Sequence, residues 1–81
     1  MIKVLFFAQL RDQLGISELN IESNDITVDE LLEILKEKDD NWRKCLSTST
    51  LMIAVNQTIS HKKKSLKSGD EVAFFPPVTG G

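Results

Sequence analysis

The 81-residue chain has ten basic and twelve acidic side chains, a formal net charge of −2, 41% apolar residues and one cysteine. This size predicts one domain with a thin core, and the charge argues against nonspecific nucleic-acid binding, which needs a concentrated basic face. One cysteine forms no internal disulfide, and the opening apolar run is too short for a signal peptide or a membrane span. We therefore expect a cytoplasmic protein that acts on neither membranes nor nucleic acids.

The first quarter of the chain predicts a strand, a short helix and a second strand. Residues 2–7, IKVLFF, are β-branched and aromatic, as is typical of a strand. With a period of two, Phe6 lies among the core-facing side chains and Phe7 on the opposite, wetter face. The letters AQLRDQLG predict a short helix ended by Gly15. SELNIE alternates as a half-buried strand, which we expect to be antiparallel to the first.

The stretch ITVDELLEILKEK carries the clearest local signal, a helix over 28–38. Thr27 and Glu30 form a capping box, in which each side chain satisfies an otherwise unpaired backbone N–H. Four apolar residues then follow the spacing of one buried helix face, namely Val28, Leu31, Leu32 and Leu35. DNWRKCL predicts a shorter helical turn that begins at Asp39 and Asp40.

The order of the elements predicts the fold class. LMIAVN reads as a third strand, QTIS as a short strand, Ser68–Asp70 as a turn and EVAFF as the last strand. We predict an α+β protein with the β-grasp arrangement, a mixed sheet packed on one main helix, with the first and last strands as parallel neighbours. A ferredoxin-like α+β sandwich is the alternative, but it needs a second long amphipathic helix, and residues 39–46 are too few for one. The domain is expected over 1–75, followed by a flexible tail over 76–81.

Two aromatic side chains are predicted on the outer face of this sheet. If Val72 and Phe74 face the core, Phe75 faces away from it, as Phe7 does. Exposed aromatics on adjacent strands are typical of a partner surface, although a loop or the tail could cover them instead.

The ending FFPPVTGG predicts a stalk that carries the C-terminal carboxylate. Pro76 and Pro77 have no N–H to continue the ladder and hold the backbone extended. Gly80 and Gly81 then leave the carboxylate without a neighbouring side chain. This arrangement favours delivery of the carboxylate into a narrow site on another protein; a disordered end without chemistry is the alternative.

The segment GDEVAFFPPVTGG closely resembles the C-terminal segment of the small subunits of bacterial molybdopterin synthase, and IKVLFFAQLRD and AVNQT resemble the same family. The resemblance implies a ubiquitin-like β-grasp fold and a sulfur-carrier role in molybdenum cofactor biosynthesis. The family's complex is a heterotetramer, with a dimer of large subunits and one small subunit at each end. The small subunit binds no cofactor or metal and has no active site of its own.

The chemistry that the resemblance implies begins at Gly81. An activating enzyme would use ATP to adenylate the Gly81 carboxylate, and sulfur from a persulfide donor would displace AMP to leave a thiocarboxylate. Sulfur would then pass to cyclic pyranopterin monophosphate (precursor Z) in the large subunit. The residues expected to enter that subunit are Pro76, Pro77, Val78, Thr79 and Gly80. Carried over by position, the family's partner-binding residues are Phe7, Arg11, Ile59 and Phe75.

Other readings of the sequence remain open. The chain could be a protein modifier joined through Gly81 to target lysines, a carrier for another pathway such as thiazole synthesis, or an interaction module without terminal chemistry. Cys45 is predicted to be a buried structural residue rather than the sulfur carrier, because it shares an apolar helical face with Trp42. His61 has no second ligand at metal-binding spacing. The lysines that follow it are predicted to be a solvated loop.

Overall fold

The computed structural model describes residues 1–23 and 25–76, which form seven strands and three helices. In chain order the elements are β1 (Ile2–Phe6), α1 (Ala8–Leu14), β2 (Glu18–Ile21), β3 (Asp25–Thr27), α2 (Val28–Lys36), α3 (Asp40–Leu46), β4 (Met52–Val55), β5 (Thr58–Ile59), β6 (Ser65–Lys67) and β7 (Glu71–Phe75). Among these residues no helix has the length and apolar character needed to cross a bilayer.

Five of the strands form one mixed sheet in the order β2-β1-β7-β4-β5. β1 and β7 are parallel, and the other neighbouring pairs are antiparallel. The predicted parallel pairing of the first and last strands is therefore confirmed. With the helices packed against one side of this sheet, the architecture is the predicted ubiquitin-like β-grasp; the ferredoxin-like alternative is wrong, because α3 has only seven residues.

A second sheet of two strands, β3 and β6, was not predicted. Each strand has three residues, too few for a periodic pattern to stand out. Two of the three paired positions are polar on both strands, Asp25 with Lys67 and Thr27 with Ser65. The middle pair joins Ile26 to the fully buried Leu66, so this small sheet covers one end of the core.

The capping box at the start of α2 is confirmed. The Thr27 hydroxyl accepts a hydrogen bond from the backbone N–H of Glu30 at 3.2 Å, and the Glu30 carboxylate accepts one from the backbone N–H of Thr27 at 3.0 Å. The four predicted apolar residues of this helix are buried. The helix ends at Lys36, two residues before the predicted limit, where Glu37 becomes the C-terminal cap.

Aromatic contacts join the sheet to α3. The Phe6 ring meets the Trp42 ring edge-on, with 5.4 Å between the centroids, and stacks with Phe74 at 6.1 Å. Trp42 is placed by the start of α3, since the Asp39 carboxylate accepts a hydrogen bond from the Trp42 backbone N–H at 2.9 Å. The prediction of Asp39 as a helix start is thus confirmed, and β1, β7 and α3 share one core.

The carboxylate of Asp70 fixes the turn before β7. It accepts hydrogen bonds from the Lys67 backbone N–H at 2.8 Å and from the Asn56 side-chain amide at 3.1 Å. These two bonds, with a smaller contribution from nearby lysine charges, hold the pKa of Asp70 below its ordinary value of 3.8. Asn56 in turn accepts a hydrogen bond from the Glu71 backbone N–H at 3.0 Å. The asparagine of AVNQT therefore ties the β4–β5 turn to the start of β7.

Candidate partner-binding surface

The sheet face opposite the helices, called here the outer face, carries a row of small and apolar side chains across four strands. Leu5 on β1 pairs with Ala73 on β7, Ala73 pairs with Ala54 on β4, and Ala54 pairs with Ile59 on β5. Side chains alternate between faces along a strand, and the sequence neighbours of these residues on β1, β4 and β7 are buried in the core. The row therefore lies on the outer face.

A second row on the same face contains both predicted phenylalanines. Phe75 pairs with Met52 on β4. Phe7 directly follows the Phe6–Phe74 pair of the parallel strands, and its backbone N–H donates to the Phe74 carbonyl at 3.2 Å. Phe7 is 46% exposed, which confirms its outward position, whereas Phe75 is half-buried and less accessible than predicted. Met52 and Phe75 are therefore cross-strand neighbours, and Phe7 lies one residue beyond the end of β1, beside the end of β7.

Ile59 extends this face to the far end of the sheet and is 62% exposed. It lies on β5, two strands from β7, which is roughly 10 Å at ordinary strand spacing. The two rows together form the outer apolar surface, whose members are Leu5, Phe7, Met52, Ala54, Ile59, Ala73 and Phe75. Among these, Ala54 is itself buried, and Phe7 and Ile59 are the exposed members. Ile59 and Phe75 are thus on one surface, but they are not direct neighbours.

Charged side chains border the outer apolar surface at the start of β1 and β7. Lys3 pairs in register with Glu71 and lies 3.7 Å from the Glu18 carboxylate on β2. An apolar centre with a polar border is the usual anatomy of a protein–protein interface. On β1 and β7, the charged residues therefore lie at the start of each strand and the outer apolar surface at its end.

Arg11 is brought to this surface by α1. Phe7 is the N-terminal cap of α1, and its carbonyl accepts a hydrogen bond from the Arg11 backbone N–H at 3.4 Å. The Arg11 side chain is 53% exposed, and its Nε lies 3.8 Å from the Asp12 carboxylate. An exposed pair of this kind contributes about 0–1 kcal/mol, so it competes only weakly with a partner's carboxylate. Arg11 therefore flanks Phe7 on the helix, while Ile59 and Phe75 belong to strands of the sheet.

The C-terminal residues continue directly from this surface. Pro76 follows Phe75 at the end of β7 and is half-buried. The remaining predicted site residues lie outside the described part of the chain; they are Pro77, Val78, Thr79, Gly80 and Gly81. The structure describes this segment as far as Pro76, the residue that follows the end of β7.

Pro76 also lines a groove of about 540 Å³ between α1, α3 and the loop before β4. Cys45 lies in the wall of this groove, half-buried, with its thiol 3.7 Å from the Asn41 side-chain oxygen. The Asn41 amide donates to the Gln13 carbonyl at 2.9 Å and so links α3 to α1. Cys45 is therefore less buried than predicted, while its packing against the core and its contact with Asn41 agree with a structural role.

Four members of the outer apolar surface were not singled out from the sequence, namely Leu5, Met52, Ala54 and Ala73. Alternation alone places Leu5 and Ala73 on the outer face. The same alternation places Met52 and Ala54 there, since Leu51, Ile53 and Val55 share the other face, but the position of Met52 opposite Phe75 depends on the β4–β7 register. Pairing between strands about 20 residues apart leaves no local pattern in the sequence.

A model of the ThiS family matches residues 4–81 of this chain. The chain is 43% identical over 81 residues to the molybdopterin synthase sulfur carrier subunit of Haemophilus influenzae and 46% identical over 81 residues to that of Escherichia coli. Both alignments cover 100% of this chain and 100% of the relative.

Two solved structures are similar to this chain over nearly its whole length. The protein–protein complex of subunits 1 and 2 of the molybdopterin-converting factor from Helicobacter pylori contains a chain that is 30% identical, with a TM-score of 0.71, covering 99% of this chain and 97% of that one. SAMP1 of Haloferax volcanii superposes with a TM-score of 0.79 over 99% of this chain and 98% of that one. At 23% identity, SAMP1 bears on the fold alone.

Proposed function

The chain belongs to the ThiS family, and from that premise we propose that it is the sulfur carrier subunit of a molybdopterin synthase. The two bacterial relatives with this name support the proposal over their full length. One structural observation supports it most directly. Phe75 belongs to the outer apolar surface and is the last residue of β7, and the C-terminal residues begin at the next position, Pro76. A protein that covers this surface would receive the C-terminal residues at a fixed place.

The partner in this proposal is the large subunit of the synthase. The Helicobacter pylori complex of subunits 1 and 2 supports this choice, since one of its chains is similar to this one. Phe7, Phe75 and Ile59 supply apolar contacts, and Arg11 pairs with a partner carboxylate beside Phe7. The six residues from Pro76 to Gly81 span roughly 18–20 Å when extended, enough to reach a recessed site.

The proposed chemistry takes place at the Gly81 carboxylate. A carboxylate is a poor electrophile, so an activating enzyme first transfers AMP to it from ATP and releases pyrophosphate. The terminal sulfur of a persulfide donor then attacks the carbonyl carbon and AMP leaves. Reductive cleavage of the sulfur–sulfur bond by a thiol releases the donor and leaves the thiocarboxylate.

The thiocarboxylate sulfur is ionised at neutral pH and is a soft nucleophile, so it needs no base from this chain. In the large subunit it attacks a side-chain carbon of cyclic pyranopterin monophosphate and displaces an oxygen substituent. Water then cleaves the resulting thioester, which leaves the sulfur on the pterin and restores the Gly81 carboxylate, so two carrier turnovers supply the two sulfurs of one dithiolene. The role of this chain is therefore to be recognised, to carry sulfur and to present it. We expect the complex to be a heterotetramer.

Mass spectrometry of the intact protein tests the proposal. The protein is produced together with its activating enzyme and a persulfide donor, in a Cys45→Ser background that removes thiol oxidation as a source of added mass. We expect sulfur to replace one oxygen within the C-terminal peptide. A matched chain lacking Gly81 should remain unmodified and should still fold, since the core is built from residues between Ile2 and Phe74.

An unmodified C-terminal peptide under these conditions would contradict the proposal. Adducts that survive denaturing gels through an isopeptide bond to Gly81 would instead assign the chain to the protein modifiers. A thiocarboxylate that fails to convert the pyranopterin with the large subunit would leave sulfur carriage in place and point to another acceptor pathway.

A further inference from the structure

Residues 61–64, His-Lys-Lys-Lys, are the densest concentration of positive charge in the chain. Four of the ten basic residues fall within residues 62–67, a stretch without an acidic residue, although the whole chain is net negative. Lys62, Lys63 and Lys64, called here the basic segment, are exposed. In the described part of the chain, the ion pairs involve other cations, namely Lys3, Arg11 and Lys36.

The backbone of the basic segment is fixed even though its side chains are exposed. The Lys64 carbonyl accepts a hydrogen bond from the Val28 backbone N–H at 3.0 Å, and the Lys62 carbonyl accepts one from Asp29 at 2.8 Å. The Lys63 backbone N–H donates to the His61 ring at 3.2 Å. These bonds use main-chain atoms of the lysines, so the segment is held against the start of α2 and its ammonium groups are available for a partner.

The position of the segment relates it to the outer apolar surface. Ile59 is the last residue of β5, and Ser60 is held beside β4 by a bond from its N–H to the Ile53 carbonyl at 2.9 Å. The basic segment begins two residues later. Arg11 therefore lies next to Phe7 at one end of the outer apolar surface, and the basic segment follows Ile59 closely in the chain at the other end. Charges at the border of an interface act mainly on the rate of association and its salt dependence.

We propose that Lys62, Lys63 and Lys64 dock against an acidic area on the protein that covers the outer apolar surface, and that they accelerate its association. The inference rests on the proposed function, in which that protein is the large synthase subunit. The number of lysines favours a protein partner over a nucleic acid. Nonspecific nucleic-acid binding depends on many lysine and arginine contacts to phosphates, whereas this segment offers three lysines on a chain of net charge −2.

Stopped-flow or surface-plasmon measurements with the large subunit from the same organism test this inference. The variant is Lys62→Gln with Lys63→Gln, which leaves Lys64 near Asp70 unchanged. Arg43→Gln with Lys44→Gln on α3 is the matched control, because it removes the same charge from exposed residues in the helical layer. We expect the association rate of the first double variant to fall about threefold to tenfold at low salt, with the dissociation rate changed less than about twofold.

The difference between the two double variants should vanish at about 0.5 M salt, where charges are screened within a few ångströms. Equal losses in both would overturn the inference, since net charge alone would then explain them. An unchanged association rate would also overturn it, as would binding to vesicles of anionic phospholipid that depends on the two lysines while association with the large subunit does not. If the wild-type chain fails to bind the large subunit at all, the proposed function falls together with this inference.

Discussion

Phe6 and Phe7 are consecutive in the chain and lie on opposite faces of the sheet, with Phe6 1% exposed and Phe7 46% exposed. One residue therefore belongs to the core and the next to the outer apolar surface. We therefore expect Phe6 to contribute to stability and Phe7 to partner recognition. The same substitution at each position tests this difference.

Replacing each phenylalanine by alanine should have different effects. Phe6→Ala removes the contacts with Trp42 and Phe74 and should lower the free energy of unfolding by about 3–5 kcal/mol. Phe7→Ala should cost about 1 kcal/mol or less, because its ring is already half in solvent. Urea titrations followed by tryptophan fluorescence measure both. Similar losses at the two positions would show that Phe7 is needed for folding.

Ile59→Asp should weaken binding to the large synthase subunit at least about tenfold, because it places a carboxylate within an apolar contact area. Ile34→Asp is the matched control, at an isoleucine of α2 that is 41% exposed and lies in the helical layer. Isothermal titration calorimetry with each variant gives the dissociation constants. Equal affinities for the two variants would remove Ile59 from the interface.

Thr27→Ala should lower the free energy of unfolding by about 1 kcal/mol, since it removes the acceptor for the Glu30 backbone N–H. Thr27→Ser retains the hydroxyl and should recover most of this loss. Chemical denaturation of the three proteins under one condition gives the comparison. If the serine variant were as unstable as the alanine variant, the methyl group of Thr27 rather than the cap would be responsible.

Asp70 should make stability depend on pH in the acid range. Its pKa is lower in the folded protein than in the unfolded chain, so its charged form stabilises the fold fully above the ordinary value of 3.8. This contribution is lost as the pH falls through the lowered pKa. Asp70→Asn should therefore be less stable than the wild type at pH 7, and the gap should narrow between about pH 5 and about pH 2.

Thermal unfolding across this range measures the gap. Asp12→Asn, at an exposed carboxylate on α1, controls for the general loss of one negative charge. A gap that stays constant with pH would mean that Asp70 acts through packing rather than through its charge.

The β4–β5 turn provides a prediction of increased stability. Asn56 and Gln57 both have positive φ, 49° and 70°, as in the two-residue turn that prefers Asn-Gly. Gln57→Gly relieves about 1–2 kcal/mol of left-handed strain. The glycine costs about 0.5–1 kcal/mol in the unfolded chain, so a net gain of about 0.5 kcal/mol is expected. A rise in melting temperature of the Gln57→Gly variant checks this. The control variant Asn56→Gly should not be stabilised, because it loses the side-chain hydrogen bonds of Asn56 with Asp70 and Glu71.

Local patterns in the sequence were sufficient for much of the fold. The capping box and the apolar spacing identified α2, and strict alternation in β1 and β7 placed Phe7 and Phe75 on the outer face. These features depend on residues within a few positions of one another, so the sequence displays them directly.

Features that depend on distant pairing could not be obtained in this way. The β3–β6 pair joins residues about 40 positions apart through mostly polar side chains, and the place of Met52 opposite Phe75 depends on the strand register. Ala8, with a φ of 54°, turns the chain from β1 into α1, although alanine gives no local signal for a left-handed residue.

β5 is an edge strand of only two residues, and its short length limits pairing between copies of this protein at high concentration. A long unpaired strand is a template on which a second chain can add hydrogen bonds and begin a fibre. β5 presents too few unpaired backbone groups for such growth, and the lysines that follow it repel an identical neighbour. The large apolar side chain of Ile59 can therefore stay exposed for recognition with little risk of aggregation through this strand.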